Sequence, residues 1–195
     1  MSFSDMSYYF PGEFIQYPGV DINYVSPDHR TTFLLLAVEQ NNSRAVEQLL
    51  KIPNIDVNGQ AHYSPLFYSC ASFKSMKIVK MISQHPNVDI NFREPEFNDS
   101  SFQISMITGN VYAMKYLIQT FPNIVVDNFC EDSYFCVHYN HFMTLKIFIK
   151  YFMDKYEIGR FDSLIELCKD YILNQSQNSL LVQIFTDIVD ELQNK

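Results

Sequence analysis

The chain has 195 residues, a formal net charge of −8 and a sequence pI near 5.0, and 47% of its residues are hydrophobic. This apolar share is enough for a buried core. The acidic balance disfavours nucleic acid and anionic lipid as partners, because phosphate groups attract a basic surface. The chain holds only 5 glycines, which speaks against a turn-rich all-β protein. We therefore expect a globular protein that binds neither nucleic acid nor a membrane.

The four cysteines stand far apart in apolar stretches, at Cys70, Cys130, Cys136 and Cys168. This pattern is typical of reduced, buried thiols in an intracellular protein. Residues 1–10 lack the basic region and apolar run of a secretory signal peptide. The longest uncharged apolar stretch, residues 33–38, is too short to span a bilayer. We expect a cytoplasmic location, with the nucleus as the other compartment open to such a chain.

A short pattern that begins with proline recurs four times along the chain. Its copies read Pro-Gly-Val-Asp-Ile-Asn from position 18, Pro-Asn-Ile-Asp-Val-Asn from 53, Pro-Asn-Val-Asp-Ile-Asn from 86 and Pro-Asn-Ile-Val-Val-Asp from 122. The prolines are therefore 35, 33 and 36 residues apart. A period near this length is typical of repeat proteins that stack into a solenoid. We call each copy of this pattern a marker.

Each position of the marker has a physical role. Proline cannot continue a helix and so ends the preceding one. The Gly or Asn that follows suits a tight turn in which that residue takes a positive φ. The next residue, Val20, Ile55, Val88 or Ile124, is β-branched, favours an extended backbone and can enter the core. The Asp and Asn near the end can hydrogen-bond nearby backbone and turn the chain into a loop.

Two short helices are predicted between successive markers. Thr32 and Ser64 are the expected N-caps of the first helix in two units, and Pro65 stands at the first helical position after Ser64. The extent of each predicted helix follows from apolar residues at helical spacing. The predicted pairs, in chain order, are residues 32–38 with 43–50, 64–70 with 78–82, 100–108 with 111–118, and 133–139 with 143–149.

Both ends of such a stack need a cap with a polar outer face. Residues 8–16 are predicted to form the second helix of a truncated repeat that seals the first unit. Residues 161–174 and 179–192 are predicted to form two amphipathic helices, the second with Asp187, Asp190 and Glu191 on its polar face. We expect this C-terminal pair to cap the stack, and the alternative is that it docks a partner.

Three segments resemble the ankyrin-repeat family. Residues 64–69, Ser-Pro-Leu-Phe-Tyr-Ser, are similar to the family's Thr-Pro-Leu-His-x-Ala, and residues 109–117 are similar to its Gly-His-x-x-Ile-Val-x-x-Leu. Asp56-Val57-Asn58 matches the family's Asp-Val-Asn ending. The aromatic-rich, asparagine-rich character is similar to that of divergent ankyrin proteins of protists. The resemblance covers about residues 14 to 150.

The resemblance implies an all-α fold, an ankyrin-repeat solenoid of stacked helix-turn-helix units with connecting loops. We expect about four repeats, at residues 24–58, 59–91, 92–127 and a degenerate 128–155. An N-terminal capping half-repeat, residues 1–23, and a C-terminal helical cap, residues 156–195, flank them. A tetratricopeptide-type array has a similar period, but it has no extended segment between its helices, so the marker speaks against it.

The chain departs from the family pattern in two ways. Its signature histidine is replaced in three units, which predicts that the hydrogen bonds of that histidine are absent. The residues in its place are Leu35, Phe67 and Gln103. The glycine before the capping Thr is also replaced, which predicts looser hairpin loops and a distorted fourth unit. The residues in that position are Arg30, His62 and Asn98.

No motif for catalysis, a metal or a cofactor is found in the sequence. It has no glycine-rich phosphate loop, nucleophile elbow or zinc-binding His-Glu pair. Cys130, Cys136, His138 and His141 form a cluster, but its spacing matches no common zinc pattern. Cys136 and His138 are two apart on a predicted helix and so face different directions. We therefore expect a protein that is not an enzyme and needs no cofactor.

The resemblance implies that a partner contacts the loops at one edge and the concave face lined by the first helices. The slot on that face is filled by Leu36, Tyr68 and Ile104, and an apolar row there indicates a covering partner unless these side chains have turned into the core. The candidate loops are residues 24–30, 59–63, 92–99 and 129–132. Aromatic and arginine residues are typical anchors of binding hot spots. The candidate binding residues are Arg30, Tyr63, Tyr68, Phe92, Arg93, Phe97 and Ile104.

The sequence therefore predicts a non-catalytic scaffold for protein-protein interaction. Its groove is acidic and carries aromatic residues, which favours a basic or apolar peptide segment of another protein. The alternative is an architectural or self-assembling subunit that forms a homodimer through its C-terminal helices.

Overall fold

The structure is a computed structural model that describes residues 19, 21–27, 30–59, 63–126, 136, 138–139 and 141–153, with isolated positions at 183, 186, 187 and 190. Within these ranges the chain forms seven α-helices and no β-strand, and one isolated antiparallel bridge joins Arg93 to Ser100. The helices are α1 (Phe33–Glu39), α2 (Ser43–Leu49), α3 (Pro65–Ala71), α4 (Met76–Ser83), α5 (Ser101–Ile107), α6 (Val111–Thr120) and α7 (Phe142–Met153). The helical class predicted from the sequence is confirmed for the described residues.

Capping side chains set the starts of the helices. Thr32 Oγ1 accepts a hydrogen bond from the N–H of Leu35 at 3.1 Å, and Ser64 Oγ accepts one from the N–H of Phe67 at 3.3 Å. Pro65 is the first residue of α3, where its missing N–H costs no hydrogen bond. These predictions are confirmed. The second helices of the units are capped by Asn42, Ser75 and Asn110, whose side chains accept from backbone N–H groups.

The chain divides into two compact units, residues 1–104 and 105–195, and the boundary falls within α5. In the first unit α1 packs against α2 and α3, α3 packs against α4, and α2 packs against α4. First helices therefore contact first helices, and second helices contact second helices. The core of this unit includes Leu34, Leu35, Val46, Leu49, Ile78 and Ile82, all fully buried.

In the second unit α6 packs against α7. Its core includes Met106, Met114, Leu117, Leu145 and Phe148, all fully buried. Helix α7 continues to Met153, past the predicted end at Ile149. The helices predicted at residues 111–118 and 143–149 thus lie close to their predicted positions.

The marker aspartates close short turns, as predicted. In three markers the aspartate Oδ1 accepts a hydrogen bond from the N–H of the asparagine two residues later, which is an Asx-type turn. The pairs are Asp21 with Asn23, Asp56 with Asn58, and Asp89 with Asn91, each at 3.0 Å.

The marker asparagines also join neighbouring repeats, which the sequence reasoning missed. Asn23 Nδ2 donates to the carbonyl oxygen of Asn54 at 2.8 Å, and Asn23 Oδ1 accepts from the N–H of Asp56 at 2.8 Å. Asn58 makes the same two bonds with the next marker. One amide side chain therefore satisfies a donor and an acceptor of the following repeat, so each asparagine fixes the position of the next marker.

The predicted positive φ after the marker proline is only half right. Gly19 has a φ of 91° and Asn54 a φ of 63°, but Asn87 and Asn123 are not among the positive-φ residues of the described chain. The prediction is wrong for those two copies. A type I turn also accepts proline at its second position, and it needs no positive φ at its third.

Burial within the markers differs in part from the prediction. Ile55 and Ile124 are buried as expected, while Val88 is only half-buried. Val57 and Ile90, which stand between the marker Asp and Asn, are also buried. The apolar residue inside the Asx turn thus adds to the core, a contribution that the sequence reasoning did not assign.

Two hairpin loops share the same pair of backbone hydrogen bonds without glycine. In the first loop the N–H of Ser26 donates to the carbonyl oxygen of Thr31 at 2.9 Å. The N–H of Arg30 donates to the carbonyl oxygen of Ser26 at 2.8 Å. The loop at 92–99 has the same pair of bonds, at 3.0 and 2.8 Å. Arg30 and Asn98 take the left-handed conformation, with φ of 46° and 58°. The loosening that the missing glycine predicts is therefore not seen in the loop at 92–99, all of whose residues the structure describes.

Several predictions concern residues outside the described ranges. They are the N-terminal cap at 8–16, Val20, His62, the loop at 129–132, most of the helix at 133–139, the helix at 161–174, Cys130 and Cys168. Positions 183, 186, 187 and 190 of the predicted last helix are helical, and Asp187 and Asp190 are exposed as expected. The homodimer alternative depends on the C-terminal residues and stays a prediction. No helix within the described ranges is long and apolar enough to cross a bilayer.

Candidate partner-binding surface

The first surface feature is an apolar row formed by Leu36, Tyr68 and Ile104. Each is the fourth residue of its helix, in α1, α3 and α5 respectively. All three are half-buried, whereas the residues on either side of Leu36 and Tyr68 in the helix are mostly buried. The three side chains have therefore not turned fully into the core. Each keeps part of its apolar surface in contact with solvent, and the row repeats at one helical position.

The second feature is an aromatic cluster formed by Tyr63, Phe67, Tyr68 and Phe97. The ring centroid of Tyr63 lies 5.7 Å from that of Phe67 and 6.2 Å from that of Phe97, with interplanar angles of 8° and 10°. Its distance to the Tyr68 centroid is 6.3 Å at a 40° tilt. Phe67 is buried, while Phe97 is 50% exposed. The cluster therefore runs from the core to solvent, and Tyr68 links it to the apolar row.

Two carboxylates, of Glu94 and Glu96, lie near this cluster. Glu94 is buried, and its Oε1 accepts a hydrogen bond from the N–H of Ser64 at 2.8 Å. This bond ties the loop at 92–99 to the start of α3. Glu96 is exposed beside Phe97. Burial raises the pKa of Tyr63, and the negative charges of Glu96 and Glu94 raise it further.

Arg93 is held within its own loop. Its Nη1 donates to the carbonyl oxygen of Asn98 and, at 3.0 Å, to Oε1 of Gln103. The same Gln103 oxygen accepts from the N–H of Ser100 at 3.0 Å, and Ser100 Oγ accepts from the N–H of Gln103 at 3.2 Å. The predicted absence of hydrogen bonds at the signature position is therefore wrong for Gln103. An amide oxygen replaces the histidine as an acceptor at the helix start.

The structure brings some of the candidate binding residues together and leaves others apart. Tyr63, Tyr68 and Phe97 meet in the aromatic cluster. Arg30 is exposed on the first loop, and Phe92 is half-buried with its N–H donating to the carbonyl oxygen of Asp89 at 3.1 Å. Neither belongs to the cluster.

Three residues that position this surface were missed from the sequence: Phe67, Glu94 and Gln103. Phe67 and Gln103 stand where the ankyrin-repeat pattern has its signature histidine. This alignment could have indicated that both residues have a structural role. The approach of Glu94 to Ser64 joins residues 30 apart. No local pattern marks such a contact, because it depends on how two repeats pack.

The residue types that could bind a metal do not converge where the structure describes them. Cys136 Sγ donates to the carbonyl oxygen of Met106 at 3.6 Å. His138 packs edge-on against Tyr139 at 4.9 Å, and His141 stacks on the same ring at 6.1 Å. Among the described residues no group of three His, Cys, Asp or Glu side chains could hold a metal ion. The fourth member of the predicted cluster, Cys130, lies outside them.

No protein-family model matches the chain, and no curated protein matches it. The apolar row and the aromatic cluster are therefore the features of the chain that bear on its function.

Proposed function

We propose that this chain is a non-catalytic scaffold of ankyrin-type repeats that binds another protein. Its binding surface consists of the apolar row together with the exposed part of the aromatic cluster. The concave-face residues and the loop at 92–99 make the contact, and no cofactor takes part.

Two features of the first unit support the ankyrin-type arrangement. Paired helices pack in two layers, first helices on first and second on second, as expected when helix hairpins stack side by side. The side chains of Asn23 and Asn58 each bond the marker one repeat later. A solenoid is stabilised by such contacts between nearest neighbours.

The apolar row is the observation on which the binding proposal depends. Leu36, Tyr68 and Ile104 occupy the same helical position, and all three are only partly buried. A single exposed apolar residue needs no explanation. Apolar residues repeated at the same position of three helices are a different case, because together they form a continuous apolar surface. Exposing such a surface to water is unfavourable, and a partner protein can cover it.

The experiment is affinity capture followed by a titration. The wild-type chain, Tyr68→Ala and Ile104→Ala are immobilised and incubated with lysate of the native cell, and bound proteins are compared by quantitative mass spectrometry. We expect one or more proteins to be captured by the wild type and to be reduced at least about tenfold by each variant. The Kd of a captured protein is then measured with each chain.

The matched control is Tyr112→Ala, which removes an aromatic side chain that is 75% exposed on α6. It should capture the same proteins as the wild type. Arg93→Ala is unsuitable as a test, because loss of its bonds to Asn98 and Gln103 alters the loop itself. If Tyr68→Ala and Ile104→Ala stay folded and bind every captured protein as the wild type does, the proposal is wrong.

A further inference from the structure

The chain contains a single Asn-Gly pair, Asn58 with Gly59, where the second marker ends. An asparagine that precedes glycine loses its side-chain amide more readily than other asparagines do. Glycine has no side chain to hinder ring closure, and its backbone reaches the required geometry easily. The contacts of the two residues show why such a reactive pair stands here and how the reaction is restrained in the folded chain.

Neither residue of the pair is easily replaced by another type. Gly59 has a φ of 82°, and a Cβ built on it would lie 3.2 Å from the backbone Cα of Ser64. A side chain there would be strained and crowded against the N-cap of α3. Asn58 makes both bonds to the third marker, since its Nδ2 donates to the carbonyl oxygen of Asn87 and its Oδ1 accepts from the N–H of Asp89. The fold therefore favours a reactive pair at this junction between two repeats.

The reaction closes a ring between the two residues. The Gly59 nitrogen loses its proton and bonds to Cγ of Asn58, the Cγ–Nδ2 bond breaks, and Nδ2 leaves as ammonia after taking up a proton. Water then opens the resulting succinimide at either carbonyl group. The product is aspartate, or isoaspartate when the main chain continues through the side-chain carboxyl group. Water is consumed and ammonia is released, and the reaction needs no oxidant, reductant or enzyme.

Hydrogen bonds oppose this attack at both groups that must meet. The Gly59 N–H donates to Oδ1 of Asp56 at 3.1 Å. A carboxylate that accepts this bond stabilises the protonated nitrogen, and its negative charge disfavours the amide anion that attacks. The side-chain amide of Asn58 is held by Asn87 and Asp89 at 2.9 and 2.7 Å. The nitrogen can therefore attack only after it leaves Asp56, and ammonia can leave only after Nδ2 releases Asn87.

We propose that Asn58 is a site of spontaneous deamidation, which the folded chain protects and which reacts when the second and third markers separate. The rate in the folded chain is then the rate of the open pair multiplied by the fraction of molecules in which the junction is open. The product lacks the Nδ2 donor, so it cannot restore the bond to the carbonyl oxygen of Asn87. Each opening that leads to reaction permanently weakens the junction, whichever partner the chain binds.

The test incubates the full chain in mildly alkaline buffer, with and without denaturing urea, and measures deamidation by peptide mapping with mass spectrometry. Aspartate and isoaspartate are quantified separately at positions 58 and 91. We expect Asn58 to react at least about tenfold more slowly in the folded chain than in the unfolded chain. Asn91 is the internal reference, because it ends the third marker with the same Asx-type turn but precedes Phe92. It should react slowly in both states.

A pair of aspartate variants tests the bond that protects the nitrogen. Asp56→Ala removes the acceptor of the Gly59 N–H, whereas Asp21→Ala removes the same type of turn one repeat earlier and leaves that acceptor in place. We expect Asp56→Ala to raise the rate at Asn58 about three- to tenfold and Asp21→Ala to leave it close to the wild-type value. If Asp56→Ala does not fold, the wild type in urea below its unfolding transition replaces it. The rate at Asn58 should then rise with urea while the rate at Asn91 stays low.

Four results would overturn the proposal. They are an equal rate at Asn58 in the folded and unfolded wild type, equal rates in the two aspartate variants, a lower rate in Asp56→Ala than in the wild type, and a rate that does not change with urea below the transition. The third would mean that the Asp56 carboxylate takes the proton from Gly59 and promotes the reaction. The fourth would mean that the reaction proceeds without opening of the junction.

Discussion

Asn58 and Asp89 are joined by a hydrogen bond across two successive repeats: Asn58 Oδ1 accepts from the backbone N–H of Asp89 at 2.7 Å. The other half of the same amide, Nδ2, donates to the carbonyl oxygen of Asn87 at 2.9 Å. A side-chain amide offers a donor and an acceptor on two separate atoms that lie side by side. A carboxylate lacks the donor, and a serine hydroxyl has both functions on one atom of a shorter side chain, so asparagine suits the end of the marker.

We predict that Asn58→Asp destabilises the chain by about 1 kcal/mol. The substitution keeps the shape and the acceptor but replaces the Nδ2 donor with an anionic oxygen that faces the carbonyl oxygen of Asn87. It also adds a negative charge near Asp89. The measurement is urea unfolding at neutral pH, with the midpoint and the slope fitted separately.

The control for this variant is Asn87→Asp, which makes the same chemical change next to the bond. The Asn87 side chain is exposed, and its backbone carbonyl is the group that receives the bond. We expect its unfolding midpoint to stay within error of the wild type. Equal loss in both variants would mean that added charge, and not the broken bond, is responsible.

We predict that Phe73→Asn stabilises the chain by about 1 kcal/mol. Phe73 has a φ of 52° and is 60% exposed, so its ring contributes little packing while its backbone sits in a region that costs a bulky residue free energy. The equivalent turn residues of the other units are Asn41 and Gly109, which tolerate this conformation.

Thermal unfolding measures this gain, and the control is Tyr112→Asn. Tyr112 is 75% exposed, but it lies in α6 with ordinary helical geometry. We expect no gain there, since no strain is relieved. A Tm of Phe73→Asn at or below that of the wild type would show that the strained turn is compensated by contacts of the Phe73 ring.

The features predicted correctly from the sequence depend on short stretches of chain. The N-cap roles of Thr32 and Ser64, and the helices they start, follow from residues three or four apart. The Asx turn of Asp56 follows from two residues. Such interactions are decided locally, so a sequence pattern is enough to predict them.

The features that the sequence did not predict depend on how repeats meet. The Asn23 bonds join residues about a repeat apart, and the contact of Tyr63 with Phe97 joins two loops. Arg93 was predicted as a partner contact because its type is common in hot spots. Its bond to Gln103 depends on the hairpin returning beside α5, and no periodicity contains that information.

We predict that the free energy of unfolding falls with rising pH because of Cys70. The thiol is buried, and burial raises its pKa from the ordinary 9.0 to about 12. Above pH 9 the unfolded chain loses this proton while the folded chain keeps it, so the unfolded state is favoured increasingly until pH reaches the folded pKa. The stability is fully present below pH 9 and declines by up to about 1.4 kcal/mol per pH unit above it.

The measurement compares urea unfolding of the wild type and Cys70→Ala between about pH 8 and pH 10.5. Tyrosines ionise in the same range in both chains, so only the difference between the two reports on Cys70. We expect the wild type to lose stability faster as pH rises. A constant difference across this range would show that the thiol ionises equally readily in the folded and unfolded chains.

The last prediction concerns the contact between Gly109 and His141. Gly109 has a φ of 75°, and a Cβ built on it would lie 2.6 Å from Cδ2 and 2.7 Å from Cγ of the His141 ring. We predict that Gly109→Ala costs at least about 2 kcal/mol, from backbone strain and the displaced ring together. Gly19→Ala is the matched control, because Gly19 has a φ of 91° and no atom of the described residues lies within 4 Å of the added carbon. The Gly19→Ala substitution should lower the free energy of unfolding only by the backbone strain, about 1–2 kcal/mol.

A double variant separates the two contributions at Gly109. In a His141→Ala background the ring is gone, so Gly109→Ala should cost about as much as Gly19→Ala. The sum of the two single losses should then exceed the loss in the double variant by about 1 kcal/mol or more. Urea unfolding of the four chains of this cycle gives that coupling. Additive losses would mean that the His141 ring moves aside freely, and the close approach of Gly109 to His141 would then have no role in holding the turn before α6 to the start of α7.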